Sequence, residues 1–265
     1  DNKVQGLDFT YTMLGWIKGV NAVNLLGVSD PGGDNGGTTA RDAFGFNLHY
    51  YNNDYTSIKP TSHLPTNSPN PGGYGELQLF NGNISAMTTA NRAMINEGKG
   101  VLGQNFEYDQ LNRLVKSNSF VMDDTQRGLN SWVGVAQNHE WGTDYEYDAN
   151  GNLERTKRAG HLQSDILMDN LHYSYYEPNG VRTNKLKSVV DEAYFSQIIQ
   201  HTANDHTDLF SEANGGVADI DPGQGAVNYE YDANGNLIKD VQEEIDQIKW
   251  TATGKVQEVL RASGS

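Results

Sequence analysis

Three near-copies of one nine-residue phrase constrain this chain more than anything else in it: Phe106-Glu-Tyr-Asp-Gln-Leu-Asn-Arg-Leu114, Tyr145-Glu-Tyr-Asp-Ala-Asn-Gly-Asn-Leu153 and Tyr229-Glu-Tyr-Asp-Ala-Asn-Gly-Asn-Leu237. In each, two aromatic residues flank one glutamate, so on an extended strand both rings point to one face and the carboxylate to the other. Asp109, Asp148 and Asp232 follow, where a type I turn wants a short side chain that accepts from the backbone just after it. Gly151 and Gly235 come three residues later, where left-handed backbone turns the chain around. The first copy carries Asn112 there, the residue that tolerates positive φ best after glycine. The phrase reads as a strand anchored by Tyr108, Tyr147 or Tyr231, a turn, and the start of a returning strand.

Relaxed to aromatic, Asp or Thr, two free positions, Gly or Asn, one free position and an aliphatic, the template finds more copies. Tyr11-Thr-Met-Leu-Gly15-Trp-Ile17 and Trp250-Thr-Ala-Thr-Gly254-Lys-Val256 fit it, and Tyr176-Glu-Pro-Asn-Gly180 fits without the final aliphatic. Anchoring aromatics at 108, 147, 231 and 250 are spaced by 39, 84 and 19 residues. These are close to two, four and one units of about 20 residues, the length of a strand pair with its connections, and such periods mark repeat architectures. The expected class is all-β, built of consecutive antiparallel hairpins.

The Tyr-Asp-x-x-Gly-x-Leu signature, preceded by Tyr-Glu or Phe-Glu, resembles the YD repeats of the Rhs (rearrangement hotspot) family. Those repeats also occur in the B and C subunits of insecticidal toxin complexes, in wall-associated contact-inhibition proteins and in teneurins. The resemblance implies a long coiled β-sheet forming part of a hollow shell, with aromatic residues packed on one face. It implies that residues 1–265 are a single YD-repeat segment of a larger secreted or cell-surface protein, and that the partners are the rest of its own chain and an enclosed toxin or effector domain. The family's end-cap stretches, Asp-Pro-x-Gly-Leu and Tyr-Tyr-Asp-Pro, are not found, so the resemblance assigns neither cargo nor self-cleavage residues here.

Composition agrees with many short strands and glycine-bearing turns: 36% of residues are hydrophobic, with 14 Tyr and 29 Gly. The net charge of −15 argues against a nucleic-acid surface, which needs clustered Lys and Arg. With no cysteine there is neither a disulfide framework nor a thiolate metal site, and no apolar run is long enough for a membrane span.

Alternation of Leu7, Phe9, Tyr11 and Met13 predicts a half-buried strand, as does that of Phe44, Phe46, Leu48 and Tyr50. Between them, residues 27–42 are too rich in glycine and polar groups for a strand, and 59–75 hold Pro60, Pro65, Pro69 and Pro71, so both are expected as inserted loops. Strand signals resume at 77–80 before an Asn81-Gly82 turn, and 87–97 has the spacing of a short helix. Leu171, Tyr173 and Tyr175 alternate, with 186–190 as their partner strand; 190–201 fits a helix or a strand, and 204–225 reads as an acidic loop.

Chemistry leaves a weaker trace. The Asp-Ala-Asn-Gly-Asn phrase has the oxygen-rich look of a calcium loop, but the twelfth position is Ala159 from Asp148 and Glu243 from Asp232 in a strand context, so turn formation is the expected role and no metal or cofactor is assigned. The inserted loop with Asp30, Asp34, Asn35 and Asp42 is a better cation candidate, though it reads more simply as a solvated loop. Among His139, His161, His172, His201 and His206 no pair has zinc-ligand spacing. No nucleophile elbow, phosphate-binding loop or His-Glu-x-x-His is present, and no enzyme is expected. A different reading is a carbohydrate-binding adhesin module: in the Tyr50-Tyr51 and Tyr175-Tyr176 doublets adjacent rings must point to opposite faces, which makes Tyr51 and Tyr176 candidates for glycan stacking.

Overall fold

The computed structural model describes residues 6–27, 29–33, 39–58, 63–65, 67–69, 78–159, 167–191 and 227–262. Among these, strand follows strand: β1 (Phe9–Tyr11), β2 (Ile17–Val20), β3 (Phe44–His49), β4 (Ala86–Asn91), β5 (Val101–Tyr108), β6 (Leu114–Met122), β7 (Gln137–Tyr147), β8 (Leu153–Ala159), β9 (Leu167–Tyr175) and β10 (Leu186–Asp191). They form an open sheet in chain order, and β11 (Tyr229–Tyr231), β12 (Leu237–Asp240), β13 (Ile245–Trp250) and β14 (Val256–Arg261) form a second one, also in chain order. Every pairing whose register is described is antiparallel. The class is therefore all-β. Among the described residues helix is confined to α1 (Arg92–Asn96), α2 (Asp124–Leu129) and one 3-10 turn at Pro178–Gly180. None is long and apolar enough to cross a membrane. Two compact units divide the chain, the first running to Thr143 with 161–164, the second holding 144–160 and 165–265.

The core of the first unit lies on one face of β4, β5 and β6. Inward positions alternate along β5 as Val101, Gly103 and Asn105, and Ala90, Phe120 and Met122 extend the patch on the neighbouring strands. Val23 and Leu25, just after β2, and Trp132 and Val135, just after α2, close over it. Trp132 is completely buried; its indole N–H donates to Thr88 Oγ1 at 3.2 Å, and its backbone N–H to Asn67 Oδ1 at 2.9 Å. Gly103 is the flat seat beneath it, since a Cβ there would come within 2.4 Å of the indole and 2.5 Å of the Pro69 side chain. Helix α2 places the tryptophan: Asp123 Oδ1 caps it by accepting from Thr125 and Gln126, and Asn130 ends it in left-handed backbone.

Several local expectations shift. The helical spacing over 87–97 resolves into β4 as far as Asn91, then a five-residue α1 capped by the Asn91 side chain. Pairing with β3 and β5 wins over the weak helical pattern because it satisfies a whole row of backbone groups. Residues 78–80 form no strand; Leu79 makes one backbone bond to Tyr50 and Phe80 lies exposed. Strand β3 stops at His49, so Tyr50 leaves the alternation, turning its ring inward against Trp16 at 5.0 Å. Asp30 and Asp42, expected in a solvated loop, are both buried; Asp34 and Asn35 lie outside the described residues. So do 28, 36–38, 59–62, 66, 70–77, His161, 192–201 and 204–225, while Val190 belongs to β10.

The second unit is built differently. Its β9–β10 and β13–β14 hairpins and the short β11–β12 pair are well registered, with Val189 opposite Tyr173 and Ile248 opposite Val259. Val189 is nonetheless the only fully buried apolar side chain among its described residues, beside buried Asp169, Ser188, Asp191 and Asn228. All six residues of β14 are exposed, with Val256, Val259 and Leu260 among them.

Candidate functional site

The recurring geometry of the repeated phrase is visible atom by atom. Asp148 N–H donates to the Asn152 carbonyl and Gly151 N–H to the Asp148 carbonyl, at 2.9 and 3.1 Å. Asp148 Oδ1 accepts from the backbone of Asn150 and Asn152, and Oδ2 from the Asn152 amide. Asp232 repeats every one of these bonds with Asn234, Gly235 and Asn236. Asp109 does the same with Leu111, Asn112 and Arg113, except that the Arg113 guanidinium takes the place of the amide. Thr12 and Thr251 use their hydroxyls to accept from Trp16 and Lys255 at 3.1 Å. The return residue has positive φ in all five: Gly15, Asn112, Gly151, Gly235 and Gly254.

Next to four of these turns the strand register slips by one residue, leaving Tyr11 opposite Ile17, Tyr108 opposite Leu114, Tyr231 opposite Leu237 and Trp250 opposite Val256. A type I turn followed by a left-handed residue closes a hairpin through such a bulge. The carboxylates are accordingly occupied. Backbone and side-chain donors of Asn236 hold the Asp232 pKa below the usual carboxylate value, and Arg113 does so for Asp109; at Asp148 desolvation pushes upward but is outweighed by Asn152, Asn150 and the Arg182 cation. Oxygens engaged this fully by their own turn are poor cation ligands. Among the described residues no three His, Asp or Glu side chains gather to hold a metal.

A second regularity has no counterpart in the residue-by-residue reading. The Tyr50 hydroxyl donates to the Ile17 carbonyl, Tyr108 to Ile84 and Tyr175 to Leu153, each at 2.8 Å, and the Trp250 indole N–H to Leu237 at 2.7 Å. Ile17, Leu153 and Leu237 are the aliphatic residues that open the returning strands, and Ile84 stands in the same place after Gly82. An aromatic residue further along the chain thus staples each of these four turns. Burial raises the pKa of the Tyr50, Tyr108 and Tyr175 phenols, keeping them protonated donors.

The two glycan-stacking candidates have unlike surroundings. Tyr176 sets its ring edge-on to Tyr231 at 6.3 Å and donates its hydroxyl to the Tyr229 carbonyl at 2.7 Å, with Lys185 over the Tyr231 ring. Both ends of Tyr176 are internal contacts. Tyr51 instead leans on Phe80, ring centres 4.6 Å apart, and lines a cleft of about 450 Å³ in the first unit with Lys18, His49, Asp54, Tyr55 and Gln78. At its floor Lys18 Nζ meets Asp54 Oδ1 at 2.7 Å and Oδ2 at 2.9 Å, both side chains buried, and the Tyr50 N–H also donates to Asp54. Burial pulls the Lys18 pKa down against the attraction of Asp54. Burial, aided by the Lys18 cation, holds the His49 pKa well below 6.5, which keeps the ring neutral at pH 7, and the Asn47 amide nitrogen lies 3.0 Å from its Nε2. Sequence patterning did not single out Lys18, His49 or Asp54, because they come from β2, the end of β3 and a turn after it.

No protein-family model matches the chain, and no curated protein matches it either.

Proposed function

We propose that this chain is a wall segment of an Rhs-like repeat shell, part of a large secreted or cell-surface protein that encloses or presents a toxin or effector. Its partners on this reading are the remainder of its own chain and that cargo. The observation that carries it is the ladder of aromatic staples, Tyr50 to Ile17, Tyr108 to Ile84, Tyr175 to Leu153 and Trp250 to Leu237. These bonds brace one hairpin against another through residues that lie outside the buried apolar cluster of the first unit, which suits a sheet that is one wall of something larger. The second unit, with Val189 as its only buried apolar side chain among the described residues, is the extreme case.

The reading is tested by unfolding the purified 265-residue chain with urea while recording its association state. A wall segment with exposed strand edges self-associates or loses the second unit well before the first. A monomer that unfolds in a single cooperative transition overturns it.

A further inference from the structure

We propose that the cleft beside the Lys18–Asp54 pair is a binding site for an uncharged saccharide of one or two rings. This goes beyond the scaffold reading and does not depend on it.

Charge decides the ligand class. Lys18 is balanced by two short contacts to Asp54, and His49 is held neutral, so the cleft attracts neither anions nor cations strongly although Lys18, His49 and Asp54 all line it. What it does offer is uncharged hydrogen-bonding capacity from amide and hydroxyl side chains, Asn53 and Gln78 among them, which suits a polyhydroxylated ligand. Gln78 Oε1 accepts from the Asn52 backbone at 2.7 Å, which leaves its amide N–H₂ group as a donor. Tyr51, backed by Phe80, and Tyr55, set edge-on to His63 at 5.7 Å, supply aromatic surface for the C–H face of a sugar ring. The volume of about 450 Å³ lies within the range of small-ligand clefts, about 300–1,000 Å³.

The test is saturation-transfer NMR and calorimetry on the full chain with glucose, galactose, mannose, N-acetylglucosamine and their disaccharides, using glucuronic acid and glucosamine as charged counterparts. The expected result is binding of at least one neutral sugar below about 10 mM, weakened at least tenfold by Tyr51→Ala and by Gln78→Ala and unchanged by Tyr176→Ala. Circular dichroism and melting point check that each variant remains folded; Tyr51→Phe, which keeps the ring, retains binding. The proposal is overturned if no neutral sugar in the panel binds, if a charged sugar binds more tightly than its neutral parent, or if folded Tyr51→Ala binds as well as the unaltered chain.

Discussion

The Tyr175 hydroxyl donates to the Leu153 carbonyl at 2.8 Å, tying the end of β9 to the first residue of β8, and the Arg182 guanidinium stacks over the same tyrosine ring while pairing with Glu154. The half-buried Leu153 carbonyl would otherwise lack this donor. Tyr175→Phe removes the donor and keeps the ring, so it should cost about 1–2 kcal/mol of local stability. Hydrogen exchange should report this as faster opening of the β8–β9 amides, with β5 and β6 unaffected. Equal protection in both proteins would mean that the staple contributes nothing.

Glycine positions separate two physical effects. Gly235 has φ +88 in the turn that Asp232 organises, so Gly235→Ala should destabilise the β11–β12 hairpin by about 1–3 kcal/mol, and Gly235→Asn by less. Gly128 sits in α2 with open space around its Cα, so Gly128→Ala should stabilise the first unit by about 0.5–1 kcal/mol through helix propensity. Trp250 fluorescence during urea unfolding follows the first substitution and Trp132 the second.

Much of this was legible in the sequence where the cause is local. Asp148 and Gly151 specify a turn because five hydrogen bonds and one positive φ all fall within five residues. Alternation in Phe44, Phe46 and Leu48 announces a strand for the same reason, although the face expected to be buried is the more open one and Gly45 and Asn47 take the buried positions. The staples were not legible: donor and acceptor lie 13 to 33 residues apart, and the acceptor is a main-chain carbonyl, which every residue possesses. Nor could the Tyr50-Tyr51 and Tyr175-Tyr176 doublets be told apart. What distinguishes Tyr51 from Tyr176 is Phe80 in one case and Tyr231 with the Tyr229 carbonyl in the other, neighbours delivered by chain 29 to 55 residues away. Burial of Lys18 ran against its type, because the Asp54 that compensates it comes from a different turn.

Gly103 under Trp132 gives a packing prediction. The methyl group of Gly103→Ala would overlap both the indole and Pro69, and the indole is pinned by its bond to Thr88, so it cannot slide freely. The cost should be about 1–3 kcal/mol, with a red-shifted Trp132 emission if the ring is displaced toward solvent. Unchanged emission and stability would show that the core gives way easily.

The floor of the cleft should be sensitive to losing one charge. Asp54→Leu leaves the Lys18 ammonium buried with nothing to balance it and also deprives the Tyr50 N–H of its acceptor, so a loss of about 3–5 kcal/mol is expected. Lys18→Met combined with Asp54→Leu removes the stranded charge and should recover part of that loss, the Tyr50 N–H remaining unsatisfied. A double variant no more stable than Asp54→Leu would place the energy in packing, not in charge. Urea midpoints followed by Trp132 fluorescence measure all three.

His49 supplies the pH dependence. Its folded pKa lies well below 6.5, chiefly through burial and secondly through Lys18, so the folded protein keeps it neutral while the unfolded chain takes up a proton as pH falls through 6.5. The unfolded state then binds more protons, and stability falls with decreasing pH below 6.5 by at most about 1.4 kcal/mol per pH unit for this one group, with no contribution above it. Carboxylates such as Asp109 and Asp232, whose folded pKa values are lowered, add their own loss only at more acidic pH, below their usual 3.8. His49→Gln removes the titrating ring and keeps a polar side chain, so the difference between its urea midpoint and that of the unaltered chain, followed by Trp132 fluorescence, should be constant from pH 8 to about 6.5 and shift steadily in favour of the variant between about 6.5 and 5. Parallel profiles over that lower interval would mean that His49 is protonated in the fold, and with it the neutrality of the cleft would be lost.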